Sequence, residues 1–503
     1  MQNILTRVLA LWQVPIVGHD HGATAVGSAS SSYEPFSTRR IHPEYHNRRP
    51  PPKSQEWQND RYDPYVCEAL GHNGCWAPSE PGGGPPYMGP KSWPKRSKEC
   101  IVPSKDDPTH DDAPAVIKAF QDCCHDGHII FENKTYHIGS VMNTTGLKDV
   151  DIEVRGLLKW STNIDYWLAH SMPIGFQNQT SAWHLGGEDI HFYGHGHGTL
   201  DGNGQVWYDF AKGVSNIHGR PHQITITNTK NSVIEGLRFV QSQMWTMTVA
   251  RSEKVLLQDI YVSSTSTDPA IRSNVNTDGC DTVYTNDITF LRWTITNGDD
   301  SISMKQNSTN IYISNCTFYN GASLAMGSIG QYPGQIEIIE NITATDIKMI
   351  NTGYAGRIKT WVGKNKGFPP NGGGGGLGHA KNITFRNFEL EGVGTAWLIT
   401  QCTFYDGPEN AREVHQEAEP DCTNSQFEIS DLNWGDTHGT IRSERIAALQ
   451  CSATKPCHNI NIFNNSLTAL DTKKPAETFL CEQVKDTCGF TCTEECNGRC
   501  PRS

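Results

Sequence analysis

A parallel β-helix is the fold this chain predicts. A short strand motif returns at intervals of about 22 or 23 residues, an Asn, Asp or Gly corner goes with each copy, and no helical pattern separates the copies. The copies begin with Val150-Asp151-Ile152-Glu153-Val154 and Ile190-His191-Phe192-Tyr193-Gly194, and continue through Val233 to Leu237, Val255 to Ile260 and Ile288 to Phe290. Later ones are Ile311 to Cys316, Ile342 to Ile347, Ile383 to Phe388 and Ile460 to Ile462. Val233 to Val255 and Ile288 to Ile311 are the closest-spaced pairs. Each unit is too short to bury its own apolar face, so stacked coils must share one core. A β-sandwich would not keep this repeat, and βαβ units would need helices between the strands.

The elements follow in order. Residues 1–25 carry Arg7, an apolar stretch from Val8 to Gly18 and Ala23-Thr24-Ala25, the outline of a signal peptide interrupted by Gln13, Pro15 and His19-Asp20-His21. Residues 26–103 are rich in Pro, Gly and charge and read as an irregular arm, stapled by Cys67, Cys75 and Cys100. Next comes one helix: Asp111-Asp112 can cap it, Pro114 suits its first turn, and Val116, Ile117, Phe120 and Cys123 share a face. Such a helix would cover the open N-terminal end of the coils, which occupy residues 104–470. The run Asn371 to Gly378 lacks the Gly-Lys-Ser/Thr of a phosphate loop and reads as a flexible surface loop near a cleft. In residues 471–503, Cys481, Cys488, Cys492, Cys496 and Cys500 predict a disulfide-clasped tail; the spacing lacks the Cys/His pattern of a zinc site.

Sixteen cysteines and eight Asn-x-Ser/Thr sequons (Asn133, Asn143, Asn178, Asn307, Asn315, Asn341, Asn382 and Asn464) point to a secreted, extracellular glycoprotein. The net charge of −12 argues against a nucleic-acid partner. No apolar stretch is long enough to span a membrane, and a monomer is the default expectation.

Asp278, in Asn276-Thr277-Asp278-Gly279, precedes Asp299-Asp300 by about one repeat, which places Asp278 and Asp299 on neighbouring rungs about 4.8 Å apart. Glycosidic cleavage needs one carboxyl to protonate the departing oxygen and another to activate water or attack the sugar. Crowding raises the pKa of one of them and keeps it protonated. The same residues could instead cap a turn or bind Ca²⁺.

The ordered set Asn276-Thr277-Asp278, Asp299-Asp300, Gly327-Ser328-Ile329-Gly330 and Arg357-Ile358-Lys359 resembles the polygalacturonase family, glycoside hydrolase family 28. The stretch Gly198 to Gly204 with Trp207, Arg220-Pro221 and Trp245-Thr246 agree with it, and the resemblance runs from about residue 104 to about 465. It implies a right-handed parallel β-helix and inverting hydrolysis without a metal or cofactor. Asp299 would be the general acid, and Asp278 and Asp300 would activate water. Arg357 and Lys359, with Asn276, would bind substrate and hold a carboxylate, which suits a pectic polysaccharide. The family pattern places Gly-His-Gly where this chain reads Gly321-Ala322-Ser323, and Ala322 can neither titrate nor hydrogen-bond through its side chain. That departure, the Gly-rich loop and the Gly327 to Tyr332 stretch look similar to exo-rhamnogalacturonases and fungal α-L-rhamnosidases. Rhamnose carries no carboxylate, so its pocket can dispense with the histidine. The expectation is exo-acting release of terminal L-rhamnose, with exo-polygalacturonase as the alternative; a metal-dependent β-eliminase and a silent pectin-binding β-helix are competing classes. Trp207, Trp245 and Trp361 lie near the motifs as candidate sugar platforms, although most aromatics simply pack.

Overall fold

Each copy of the motif forms a strand that pairs in parallel with its counterpart one turn on. In the computed structural model, Val255, Ile288, Ile311, Ile342, Ile383, Leu432 and Ile460 are successive register partners, and all are buried. Full burial of such a side chain contributes about 1.5–3 kcal/mol. The structure describes residues 86–268, 274–404, 421–496 and 500, so the expected signal peptide, Cys67, Cys75 and most of the arm lie outside the described residues.

A second parallel series carries the site. It runs through Ile224–Thr227, Met247–Ala250, Cys280–Val283, Ile302–Met304, Leu324–Ile329 and Tyr354–Trp361 to Thr395–Thr403, Arg445–Gln450 and Thr478–Glu482. A third begins with Leu157–Trp160, Thr199–Asp201, Arg238–Val240, Tyr261–Ser263 and Thr294–Thr296. Side chains alternate, so Ile302 and Met304 enter the shared core while Ser303 between them faces outward. The architecture is a single parallel β-helix.

Corners use the left-handed backbone that Asn and Asp tolerate. Asn310, Asn341 and Asn382 have φ of 55°, 60° and 55°. Their amides form a ladder: Asn310 Nδ2 donates to Asn286 Oδ1 at 2.7 Å, Asn341 to Asn310 at 2.9 Å and Asn382 to Asn341 at 2.8 Å. Each rung thus satisfies a corner that would otherwise depend on water.

The helix spans Ala113–Asp122, with Pro114 in its first turn. It buries Val116, Ala119 and Phe120, and the Phe120 ring meets Phe131 and Trp183. Asp111 Oδ1 accepts from the Ala113 N–H at 3.0 Å. The Asp112 side chain, expected to cap, instead accepts from the Lys105 and His137 N–H groups and ties the preceding loop to the first coil.

Three further expectations are corrected. Val233 pairs with Leu256 rather than Val255, because Ser232 takes the inward step, where its Oγ accepts from the Ile190 N–H at 3.0 Å. Val233, Leu256 and Leu291 face outward instead, covered by Tyr87 and Trp93 of the arm. Cys100 bonds to Cys123 at the end of the helix, so it does not close the arm on itself. The Gly-rich run is packed: Gly376 N–H donates to Gly330 O at 3.1 Å, and a Cβ there would meet the Gly330 backbone at 2.5 Å. Glycine serves here for close approach of two backbones.

Beyond residue 470 the stack continues through Thr478–Glu482, Val484–Cys488 and Glu494–Glu495. Disulfides Cys481–Cys492 and Cys496–Cys500 lie in this last part. Among the described residues no helix is long and apolar enough to cross a membrane.

Asn341→Ala is expected to lower unfolding free energy by about 1–3 kcal/mol, combining the left-handed cost of an alanine with a lost hydrogen bond. Asn341→Gly should recover the conformational part. Denaturant titration of the three proteins measures both.

Candidate active site

One column of outward side chains organises the site. Register partners place His184, Thr225, Thr248, Asp281, Ser303, Ala325, Arg357, Leu398, Ala448 and Leu480 in line, one rung after another. The three candidate acids sit just before these strands. The Gly279 N–H donates to Asp300 O at 3.0 Å, so Asp278 aligns with Asp300 rather than Asp299. Asp299 joins them from the preceding corner, and oxygens of all three carboxylates lie within 4.8 Å of one another.

The three have different surroundings. Asp300 is fully buried, and its Oδ1 accepts from Ser323 Oγ at 2.6 Å and Arg357 Nη2 at 2.7 Å, while Oδ2 accepts from Lys359 Nζ at 2.9 Å. Burial alone would raise its pKa, but the Arg357 and Lys359 charges hold it well below the usual carboxylate range. Asp278 is buried with no partner on Oδ1. Burial first, and then the charges of Asp281 and Asp299, push its carboxyl well above the ordinary value. Asp299 is half-buried; its Oδ1 accepts from the Asp300 N–H at 2.9 Å and its Oδ2 from the Asn276 N–H at 3.1 Å. The site therefore contains an ionised carboxylate, a carboxyl favoured as neutral, and a third carboxyl oriented by two backbone donors.

The other expected residues are present in altered capacities. Arg357 and Lys359 keep 12% and 15% of their side-chain surface, and both are engaged by Asp300. Asn276 meets Asp299 through its backbone; its side-chain oxygen accepts from Ser215 Oγ at 2.7 Å and the Asn216 N–H at 3.1 Å, pinning that loop to the site. Half-buried Ala322 donates its N–H to Asp299 O at 2.7 Å and accepts from the Tyr354 N–H at 2.8 Å. Trp207, Trp245 and Trp361 are all buried and pack rather than face solvent.

Sequence reading missed four contributors. Lys305 is buried, 3.2 Å from Asp281 Oδ1 and bonded to Gly327 O at 2.9 Å. Asp281 is also fully buried, and despite that cation its carboxyl is pushed up to about 7 by burial. Tyr354 carries the Arg357 guanidinium 5.5 Å from its ring centre. Arg220 is wholly buried against Gln243 O and Val275 O, adding positive potential near Asp278 and Asp299. The outward parity of Asp281 relative to Cys280 was the available signal for one of them. Three acids this close could suggest a cation site, but both Asp300 oxygens already bind cations, and that double positive charge opposes a divalent ion there.

Flanking segments narrow the exposed part of the sheet. Residues Ile174 and Phe176 pack on Trp245 and Val283. Gln177 bonds through its N–H to Tyr332 Oη at 2.9 Å and through its side chain to Gln331. Gln331 in turn donates to Pro370 O and Gly372 O of the Gly-rich run. Beneath them Thr225, Thr248, Gln223 and Gln243 are buried.

Residues 138–492 match the model of glycosyl hydrolases family 28. Over 384 residues the chain is 47% identical to the alpha-L-rhamnosidase rgxB of Aspergillus niger, covering 76% of this chain and 87% of that protein. It is 35% identical over 393 residues to an exopolygalacturonase of Cochliobolus carbonum, covering 76% and 83%. The endo-xylogalacturonan hydrolase structure from Aspergillus tubingensis aligns with a TM-score of 0.65 at 25% identity, covering 79% of this chain and 99% of that one.

Glu337, beneath the Gly330 to Tyr332 segment, accepts from the Gly330 N–H at 2.8 Å, and burial pushes its carboxyl up to about 7. The unfolded value is about 4.3, so the folded chain retains a proton that the unfolded chain loses. Stability from this group is complete below about pH 4.3 and is lost as pH rises through about 7. Glu337→Gln should flatten that loss by up to a few kcal/mol, as read from denaturant midpoints across the pH range.

Proposed function

The chain belongs to family 28 of the glycosyl hydrolases and is a glycosidase; from that premise we propose that it releases terminal L-rhamnose, in exo fashion, from rhamnogalacturonan or α-L-rhamnosides outside the cell. The observation that carries the sugar assignment is the pairing of Arg357 and Lys359 with Asp300. Both cations expected to grip a carboxylate are engaged, and Ala322 offers a methyl group where the family motif has histidine. A pocket of this kind favours a neutral deoxy sugar. Similarity to a rhamnosidase of Aspergillus niger agrees with it. Exo action is supported by the segments that pack onto the sheet around the acids, Ile174 and Phe176 against Trp245 and Val283, and the Cys496–Cys500 disulfide in one cluster with Leu398 and Ala448.

In the mechanism, Asp299 gives its proton to the glycosidic oxygen as the bond to the terminal sugar breaks. Asp300, held ionised, takes a proton from water, whose oxygen bonds to the sugar's anomeric carbon. Between turnovers the proton that Asp300 took from water passes to solvent, and Asp278, favoured as neutral, returns a proton to Asp299 and is itself reprotonated from solvent. The close spacing departs from the roughly 6.5–9.5 Å usual for inverting enzymes and approaches that of retaining ones. Inversion is the proposed course on family resemblance: Asp300 accepts three hydrogen bonds, which leaves one lone pair on Oδ2 for the proton of an attacking water.

Incubation with rhamnogalacturonan oligomers bearing non-reducing rhamnose, beside oligogalacturonates, tests the substrate. Free rhamnose from the first set alone is expected; free galacturonate from the second overturns the assignment in favour of an exo-polygalacturonase. Proton NMR of the first-formed anomer should show inversion. Asp299→Asn should lower kcat about 10²–10⁴-fold with an unchanged melting temperature. Lys305→Met removes a cation that favours ionised Asp300, the base, so the acid limb of the kcat/KM profile should move to higher pH. A uniform loss of rate without that movement would mean Lys305 serves packing only.

A further inference from the structure

The outer column changes character one rung past Arg357. Up to that rung its members are polar or small; Leu398, Ala448 and Leu480 then follow in register. These three point away from the shared core, yet all are buried, forming a separate cluster with Cys496 and Cys500. Tyr354 packs against the same cluster, and its ring also carries Arg357. The Cys496–Cys500 disulfide therefore packs on the sheet face that holds the candidate acids, and Tyr354 connects the two.

We propose that the Cys496–Cys500 cystine is the end wall of the saccharide site, a specificity determinant that stops recognition along the sheet about two rungs beyond Arg357, where Cys496 Sγ lies 3.9 Å from Leu449 O. Successive rungs are about 4.8 Å apart along the stack, roughly the length of a single sugar ring. A substrate lying along the column meets the cystine after about two sugars on that side and must turn away from the sheet. Charge acts in the same direction. Glu494 and Glu495, exposed and immediately before Cys496, oppose the galacturonates of a pectic chain that continued past the wall. This inference rests on the proposed exo release of a terminal sugar and adds to it that the leaving part of the substrate lies on the Arg357 side of the acids.

The test compares the full chain with a chain ending at Glu495 and with a Cys496→Ser/Cys500→Ser variant. Substrates are two oligosaccharide series, one ending in rhamnose and one in galacturonate, with one to four sugars on the leaving side, together with the nitrophenyl monoglycosides. For the full chain, kcat/KM should change less than about twofold from two to four sugars. For the shortened chain it should rise about tenfold from two to four sugars, the worth of one added sugar contact, while the monoglycoside rate stays the same. Identical length profiles for all three proteins would overturn the end wall. Loss of monoglycosidase activity and of the thermal transition would mark a shortened chain that does not fold, and the paired serine variant then decides. Release of galacturonate in place of rhamnose would remove the sugar assignment alone, because the length dependence is read from both series.

Discussion

A carboxylate removed from solvent, Asp300, governs the rest of the site. Without compensation its burial would shift it to the neutral form, since an unpaired buried charge costs several kcal/mol. Two cations and a hydroxyl prevent that, and they arrive from different turns: Ser323 from the next rung, Arg357 and Lys359 from the one after. The arrangement depends on register. A slip of one residue in Tyr354–Trp361 would turn both cations into the core and bring Ile358 out.

The β-helix suits this requirement because its rungs repeat without lateral freedom. The core ladder from Val255 to Ile460 and the asparagine ladder from Asn286 to Asn382 lock each turn to its neighbours. Outward positions are then free to carry chemistry at fixed spacing. The site uses that freedom to separate the charge states of adjacent acids. Cations lie against Asp300, none contacts Asp278 within bonding distance, and the pair Asp281–Lys305 forms the buried floor beside them. Past Arg357 the same column turns to leucine and alanine, and there the Cys496–Cys500 disulfide packs against it.

Much of this was legible in the chain. The repeat length, the alternation of apolar positions and the Asn corners reflect local constraints on strand, turn and stacking, so they point to parallel coils without further help. The Asn-Thr-Asp and Asp-Asp motifs lie one repeat apart, and proximity of the acids follows from the fold. Charge partners were not legible. Arg357 and Lys359 read as free substrate grips because nothing in a linear chain shows that Asp300 occupies both. Lys305 gave no signal, being one charged residue at the end of a short strand. Trp245 looked like a platform until Ile174 and Phe176, distant in sequence, were seen to cover it.

By itself, then, the sequence determined the coil, its period and which three carboxylates come together, because these are set by neighbours along the chain and by a repeat that recurs. Only the tertiary structure decided which acid keeps a proton, which cations are engaged and where the sheet face ends. Those properties depend on desolvation and on contacts between turns far apart in sequence, and both come into being when the coils stack.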